Sequence, residues 1–204
     1  MATRLRRAKV SRKTSETNIT LELTLDGKGV SSVKTGIPFF DHMLSAMTKH
    51  GLMDLKLKAK GDIDVDFHHT VEDIGLCIGE AIKKALGTKA GIRRFGSSKV
   101  PMMDAMASVT LDIGGRPYFK YNKTKESASV NKRGRKGDFD MGLMREFMTS
   151  LANTAEMDLH VTLNYGEDLH HSVEAIYKAL GRALRVAFEK DPRIKGVMST
   201  KGKI

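Results

Sequence analysis

The chain carries one uncommon motif twice. HHTVEDIG at 68–75 returns as HHSVEAIY at 170–177, an offset of 102 residues. Upstream, MDLKLK at 53–58 matches MDLHVT at 157–162 at an offset of 104, so the second copy is two residues shorter between these blocks. A repeat close to half the chain length restricts the fold to two related units that complete a core together.

The hydrophobic period reads out those units. Ile19, Leu21, Leu23 and Leu25 alternate with polar residues, which predicts a strand. Pro38 opens a helix with Phe40, Met43, Leu44 and Met47 on one face. Met53, Leu55, Leu57 and Ala59 alternate again. Val71, Ile74, Ile78, Ala81, Ile82 and Ala85 then recur at helical spacing up to Gly87, a suitable helix stop. The second half follows the same order. Ala107 to Ile113 alternate, Pro117 to Tyr121 is a weaker strand, and Met144, Phe147, Met148 and Leu151 mark a helix. Met157 to Leu163 form a strand, and Val173 to Ala187 a long helix ended near Pro192. The prediction is α+β: two ββαβα halves, 1–93 and 94–204, in one compact duplicated domain, with Phe95 to Val109 near the junction. Residues 120–137, with seven Lys or Arg and one Glu, are expected to be a surface loop.

Composition narrows the partners. Lys and Arg outnumber Asp and Glu by 35 to 24, which suits a polyanion, an anionic surface or a phosphorylated small molecule. No apolar run approaches the roughly 20 residues of a membrane span. The basic N-terminus has no apolar signal region, and Cys77 is the single cysteine. The basic loop core offers no aromatic platform for bases. We therefore expect a cytoplasmic protein with neither a membrane nor a nucleic-acid partner.

The histidines carry the chemistry. On a helix, positions i and i+4 lie about 40° apart, whereas i+1 is rotated by about 100°. His68 then stacks on Glu72 and His170 on Glu174, while His69 and His171 point elsewhere. Adjacent polar residues are costly in a core, so two copies of HHxxE point to metal. One ion is expected on His68, Glu72, His170 and Glu174. A second is expected on His69 and His171, completed by His42 and Glu146, which coincide at the offset of 104. Imidazole and carboxylate together favour Mn, Fe or Zn, and six-coordinate Mn leaves room for a substrate. Taken singly, His50 and His160 have no partner motif and read as ordinary histidines.

PFFDHML at 38–44, HHTVED at 68–73, RFGS at 94–97, VPM at 100–102, HHSVEAIYKAL at 170–180 and STKG at 199–202 stand in one order. Together, over nearly the whole chain, they resemble the imidazoleglycerol-phosphate dehydratase family. The resemblance implies two four-stranded sheets, each packed on two helices, akin to the second domain of ribosomal protein S5. It implies a carbon–oxygen lyase of L-histidine biosynthesis that turns imidazole glycerol phosphate into imidazole acetol phosphate and water. It implies two manganese ions per chain and octahedral particles of twenty-four chains, built through trimers, with active sites at subunit contacts. By position, the metal ligands would be His42, His68, His69, Glu72, His170, His171 and Glu174, with Glu146 where relatives often have His. Glu16, Glu72 and Glu174 would move protons. Glu16, His42, His50, Arg94, Arg116, Lys178, Ser199, Thr200 and Lys201 would contact substrate, the last three as a tail closing over its phosphate. Where the family has Asp-Glu after Val-Pro-Met, this chain has Met103-Asp104. A binuclear hydrolase of a small phosphorylated substrate would explain the ligands but not the imidazole-specific pattern. A basic RNA-binding module would leave HHxxE without a use.

Overall fold

A computed structural model describes residues 5–127, 130 and 138–203. The first half runs β1 (Arg7–Lys13), β2 (Thr17–Thr24), β3 (Ser31–Lys34), α1 (Pro38–Gly51), β4 (Asp54–Gly61) and α2 (His68–Leu86). The second repeats it as β5 (Phe95–Met102), β6 (Ala105–Asp112), β7 (Tyr118–Lys123), α3 (Met141–Ala155), β8 (Asp158–Tyr165) and α4 (Leu169–Phe188). Two four-stranded sheets result, ordered β1-β2-β4-β3 and β5-β6-β8-β7.

Each half thus has three strands ahead of its first helix, one more than the ββαβα reading. The strands that hydrophobic period does not reveal are β1, β3 and β5, and all three lie at sheet edges. Edge strands bury little. Of β1 only Val10 is buried, β3 has four residues, and β5 contains Gly96 and Pro101, which central strands rarely tolerate. Phe95 to Val109, near the expected junction, opens the second half as most of its β5–β6 hairpin. Lys120 to Lys123 belong to β7 rather than to a loop. Residues 128, 129 and 131–137 of that expected loop lie outside the described residues.

The central strands follow their alternation. Leu21 faces Leu57 and Leu23 faces Leu55 across β2 and β4, all buried. Val109 faces Val161 and Leu111 faces Leu159 across β6 and β8. Removing each such side chain from water contributes about 1.5–3 kcal/mol. Pro38 begins α1, while Asp140 and Asp168 cap α3 and α4 by accepting from the Leu143 and His171 N–H groups.

Helices α1 and α2 lie on the first sheet, α3 and α4 on the second, and the two layers meet crosswise: α2 packs on α3 and α1 on α4. Phe40, Phe147 and Tyr177, from α1, α3 and α4, join at the centre with ring centroids 5.4 to 6.4 Å apart. The two crossings use equivalent glycines, Gly79 and Gly181. A Cβ at Gly79 would lie 2.0 Å from Thr154 Oγ1, and one at Gly181 would lie 2.2 Å from the Met47 carbonyl oxygen. Because backbone blocks the second position, Gly181→Ala should force α1 and α4 apart and cost about 1–3 kcal/mol. For a chain of this size that lowers Tm by about 2–4 °C per kcal/mol. Calorimetry showing an unchanged Tm would mean that the crossing is looser than described.

Candidate metal centre

The crosswise packing assembles two clusters, each from both halves. In the first, α1 supplies His42 and the start of α4 supplies His170 and Glu174. Glu174 Oε2 lies 3.1 Å from His170 Nε2 and 3.6 Å from His42 Nε2. In the second, α2 supplies His68 and Glu72, 3.8 Å apart, and α3 supplies Glu146. Within each cluster one donor atom per residue falls within 4.8 Å of the others. The i, i+4 stacking of His on Glu is as expected.

The grouping differs from the expected one. His68 and Glu72 do not meet His170 and Glu174, because α2 and α4 sit in different helix pairs. Instead each HxxxE pair meets the residue of its crossing partner, Glu146 or His42. His69 and His171 join neither cluster within the chain. Burial alone would raise the pKa of Glu174. Lys178, whose Nζ stands 2.8 Å from Oε1, reverses this together with His42 and His170, and the carboxyl is held below its ordinary value.

His69 and His171 each have one ring nitrogen against a carboxylate. Asp62 Oδ2 lies 2.9 Å from His69 Nδ1 and raises the imidazole pKa, with Glu16 adding to the effect. Asp104 Oδ1 meets His171 Nδ1. Asp104 also accepts from the Asp168 and Glu167 amides, at 2.8 and 2.9 Å. The Asp168 amide first and His171 second hold its carboxyl well below the usual range. Such partners fix which imidazole nitrogen is left to bind. Neither aspartate stands out in the sequence: Asp62 sits in the acidic loop DIDVD, and Asp104 where the chain departs from the family pattern.

Glu16 and Asp104 are structural counterparts. Each directly precedes the second strand of its sheet, Thr17 opening β2 and Ala105 opening β6, and each faces the second histidine of a pair. Glu16 Oε1 stands 3.8 Å from His69 Nε2.

The remaining predicted substrate contacts separate. Arg94, Arg116, Ser199, Thr200 and Lys201 line an open cleft of about 1050 Å³, joined by Arg193. Arg94 is forked onto Asp112 at 2.6 and 2.8 Å, and its third nitrogen donates to the Met198 carbonyl at 2.6 Å. The tail is anchored a second time where the Gly91 N–H donates to the Gly196 carbonyl at 2.7 Å. Lys178 stands beside Glu174 instead. His50 lies near Lys178 and Arg182, and burial first, then these charges, depresses its pKa. The Arg94 N–H donates to the Ala187 carbonyl, so the cleft sits at the far end of α4 from Glu174. From Glu174 to Ala187 the helix rises about 20 Å.

A duplicated sheet–helix–helix–sheet fold with paired His/carboxylate clusters and a separate arginine-lined cleft defines the class. The family model for imidazoleglycerol-phosphate dehydratase matches residues 35–184. The imidazoleglycerol-phosphate dehydratase of Trichlorobacter lovleyi is 50% identical over 97% of this chain and 98% of its own length. That of Clostridium botulinum is 53% identical over 96% of both chains. Among solved structures, the Pyrococcus furiosus enzyme in complex with (S)-C348 superposes with a TM-score of 0.79 at 34% identity, covering 96% of this chain and 100% of its own. The Staphylococcus aureus enzyme does so at 0.77 and 32% identity, covering 91% and 99%. The chain belongs to the imidazoleglycerol-phosphate dehydratase family, carbon–oxygen lyases of histidine biosynthesis.

The Arg94 anchorage is directly testable. Arg94→Ala should release the tail, and limited trypsin digestion should cleave at Lys195 and Lys201 faster than in the parent protein. Equal cleavage rates would show that Arg94 does not hold the tail.

Proposed function

We propose that this chain dehydrates imidazole glycerol phosphate to imidazole acetol phosphate with two manganese ions per chain, and that it does so only as an assembly of copies. The carrying observation is the separation of the clusters from the cleft. A substrate made of an imidazole ring, three carbons and a phosphate spans roughly 10 Å at ordinary bond lengths. It is shorter than the about 20 Å of α4 that separates Glu174, beside His42, from Ala187, which holds the Arg94 backbone, so the clusters of one copy would meet the cleft of another. His69 and His171 support the same reading. Both keep Nε2 free of their own clusters and would supply a fourth donor to clusters of a neighbouring copy. The two halves, 1–93 and 94–204, would thus act as one domain within a twenty-four-chain cytoplasmic particle.

The donor sets suit the metal. Imidazoles and carboxylates in threes fit a borderline-to-hard divalent cation. Held by these residues, such ions would supply Lewis acidity toward the imidazole ring.

The reaction removes hydrogen and hydroxyl from neighbouring carbons as water, and the resulting enol becomes the ketone. Glu16 takes and returns the proton, a general acid–base task. Glu72 and Glu174, each stacked on a histidine, are poised for transfers at the ring. Lys178 and His50 lie next to Glu174, where they bear on substrate orientation. Arg94, Arg116, Ser199, Thr200 and Lys201 form the phosphate end of the site, with Arg116 as a fork and Lys201 as a point charge, while Arg94, whose own fork is taken by Asp112, holds the tail beside them. The family match leaves the binuclear hydrolase reading without an observation in its favour.

Turnover of imidazole glycerol phosphate to the acetol phosphate, followed in the manganese-loaded protein, tests the reading, and no turnover in the metal-replete particle would refute it. Elemental analysis should give two ions per chain. Glu146→Gln should lose the ion at His68 and Glu72 selectively and lower activity, whereas Glu146→His should regain much of both. Two tightly held ions with full activity in Glu146→Gln would remove Glu146 from the ligand set. Complete chelation should split the particle in light scattering, and an unchanged size would exclude metal-bridged contacts.

A further inference from the structure

The two hairpin tips are secured in different ways. At the second, Asp104 itself is the anchor, its oxygens taken by two backbone amides and by His171. At the first, the Glu16 carboxylate accepts no hydrogen bond among the described residues and remains half exposed beside His69. Its hairpin is held from below. Thr17, the next residue, is buried, and its hydroxyl donates to Asp73 Oδ2 at 2.5 Å. The other Asp73 oxygen accepts from Arg12 Nε at 2.7 Å. Thr14 Oγ1 then accepts from the backbone N–H groups of Glu16 and Thr17, at 3.1 and 2.9 Å, and lies 3.3 Å from Thr17 Oγ1. A continuous set of hydrogen bonds therefore runs from α2 to the backbone of Glu16.

Among the described residues, the second half has nothing equivalent. Ala105 stands in place of Thr17 and Ala175 in place of Asp73, both fully buried. A buried carboxylate is costly unless every oxygen is satisfied, and the twin position shows that the fold does not require one. Asp73 also sits beside Glu72 in the chain but faces away from it, toward β1 and β2.

We propose that Asp73, acting through Thr17, is a positioning residue that secures the first hairpin so that the Glu16 carboxylate is left free for proton transfer. The proposal rests on the assignment of Glu16 as proton carrier. Without the Thr17–Asp73 bond, the hairpin would either drift or be held, like its counterpart, by its own carboxylate. Displacements near 1 Å in such groups cost on the order of 10²-fold in rate.

The test uses the metal-loaded particle. Asp73→Ala and, separately, the nearly isosteric Thr17→Val should each lower kcat about 10–100-fold, with KM, metal content and particle size unchanged. Asp73→Asn, which keeps an acceptor for Thr17, should recover much of the loss. In a Glu16→Gln background, Thr17→Val should reduce the residual kcat no further, since interacting residues are non-additive in such a cycle. If Glu16→Gln alone keeps full kcat, the assignment of Glu16 fails. If Glu16→Gln is impaired but Thr17→Val turns over normally, or if Thr17→Val slows the Glu16→Gln variant as much as the parent, the positioning role is overturned. Should Asp73→Ala fail to assemble, Thr17→Val decides alone.

Discussion

The crossing of α2 on α3 and of α1 on α4 is the constraint from which the site follows. Had the helices paired within each half, every ligand set would have been local to one copy of the repeat. Because they pair between halves, His42 of α1 meets its fellow donors on α4, and Glu146 of α3 meets its own on α2. Neither half can form a cluster alone. The close approach is made by backbone at Gly181 and by backbone and hydroxyl at Gly79. It is reinforced where Thr154 Oγ1 donates to the Leu76 carbonyl across the α2–α3 crossing. Packing inside the bundle therefore sets the geometry of the donors at its surface.

This also explains which parts of the molecule were legible in the sequence. Central strands and helices declare themselves because one face of each is buried, and alternation or helical spacing records that face. Edge strands β1, β3 and β5 bury too little to leave a record. The donor residues were legible for a related reason: the i, i+4 spacing of His68 with Glu72 and of His170 with Glu174 is a property of a single helix. Their grouping was not. Spacing along a helix gives the direction of a side chain, but not which neighbour it will find, and a duplicated chain can pair its helices within or between halves. The orienting carboxylates Asp62 and Asp104 reach their histidines from turns, where no period exists to mark them.

Duplication followed by divergence then accounts for the differences between the halves. Glu16 and Asp104 hold equivalent places, yet Glu16 accepts no hydrogen bond among the described residues and only faces His69, whereas Asp104 is fully engaged. His69 takes its orienting carboxylate from the β4–α2 loop, whereas His171 takes it from the hairpin. Supplying Asp62 from elsewhere relieves the first hairpin of the duty that Asp104 performs in the second.

The same divergence makes the two clusters chemically unequal. His42, His170 and Glu174 present one carboxylate, itself shared with Lys178. His68, Glu72 and Glu146 present two, with no lysine bridge among the described residues. Replacing a neutral imidazole by a carboxylate adds a negative charge and a hard oxygen donor, which strengthens the pull on hard divalent cations over softer ones. In a chain with a net charge of +11, that extra anion also offsets the surrounding field that disfavours a cation. Two ions bound by this chain would therefore differ in affinity and in selectivity, even though the order of strands and helices that presents them is repeated.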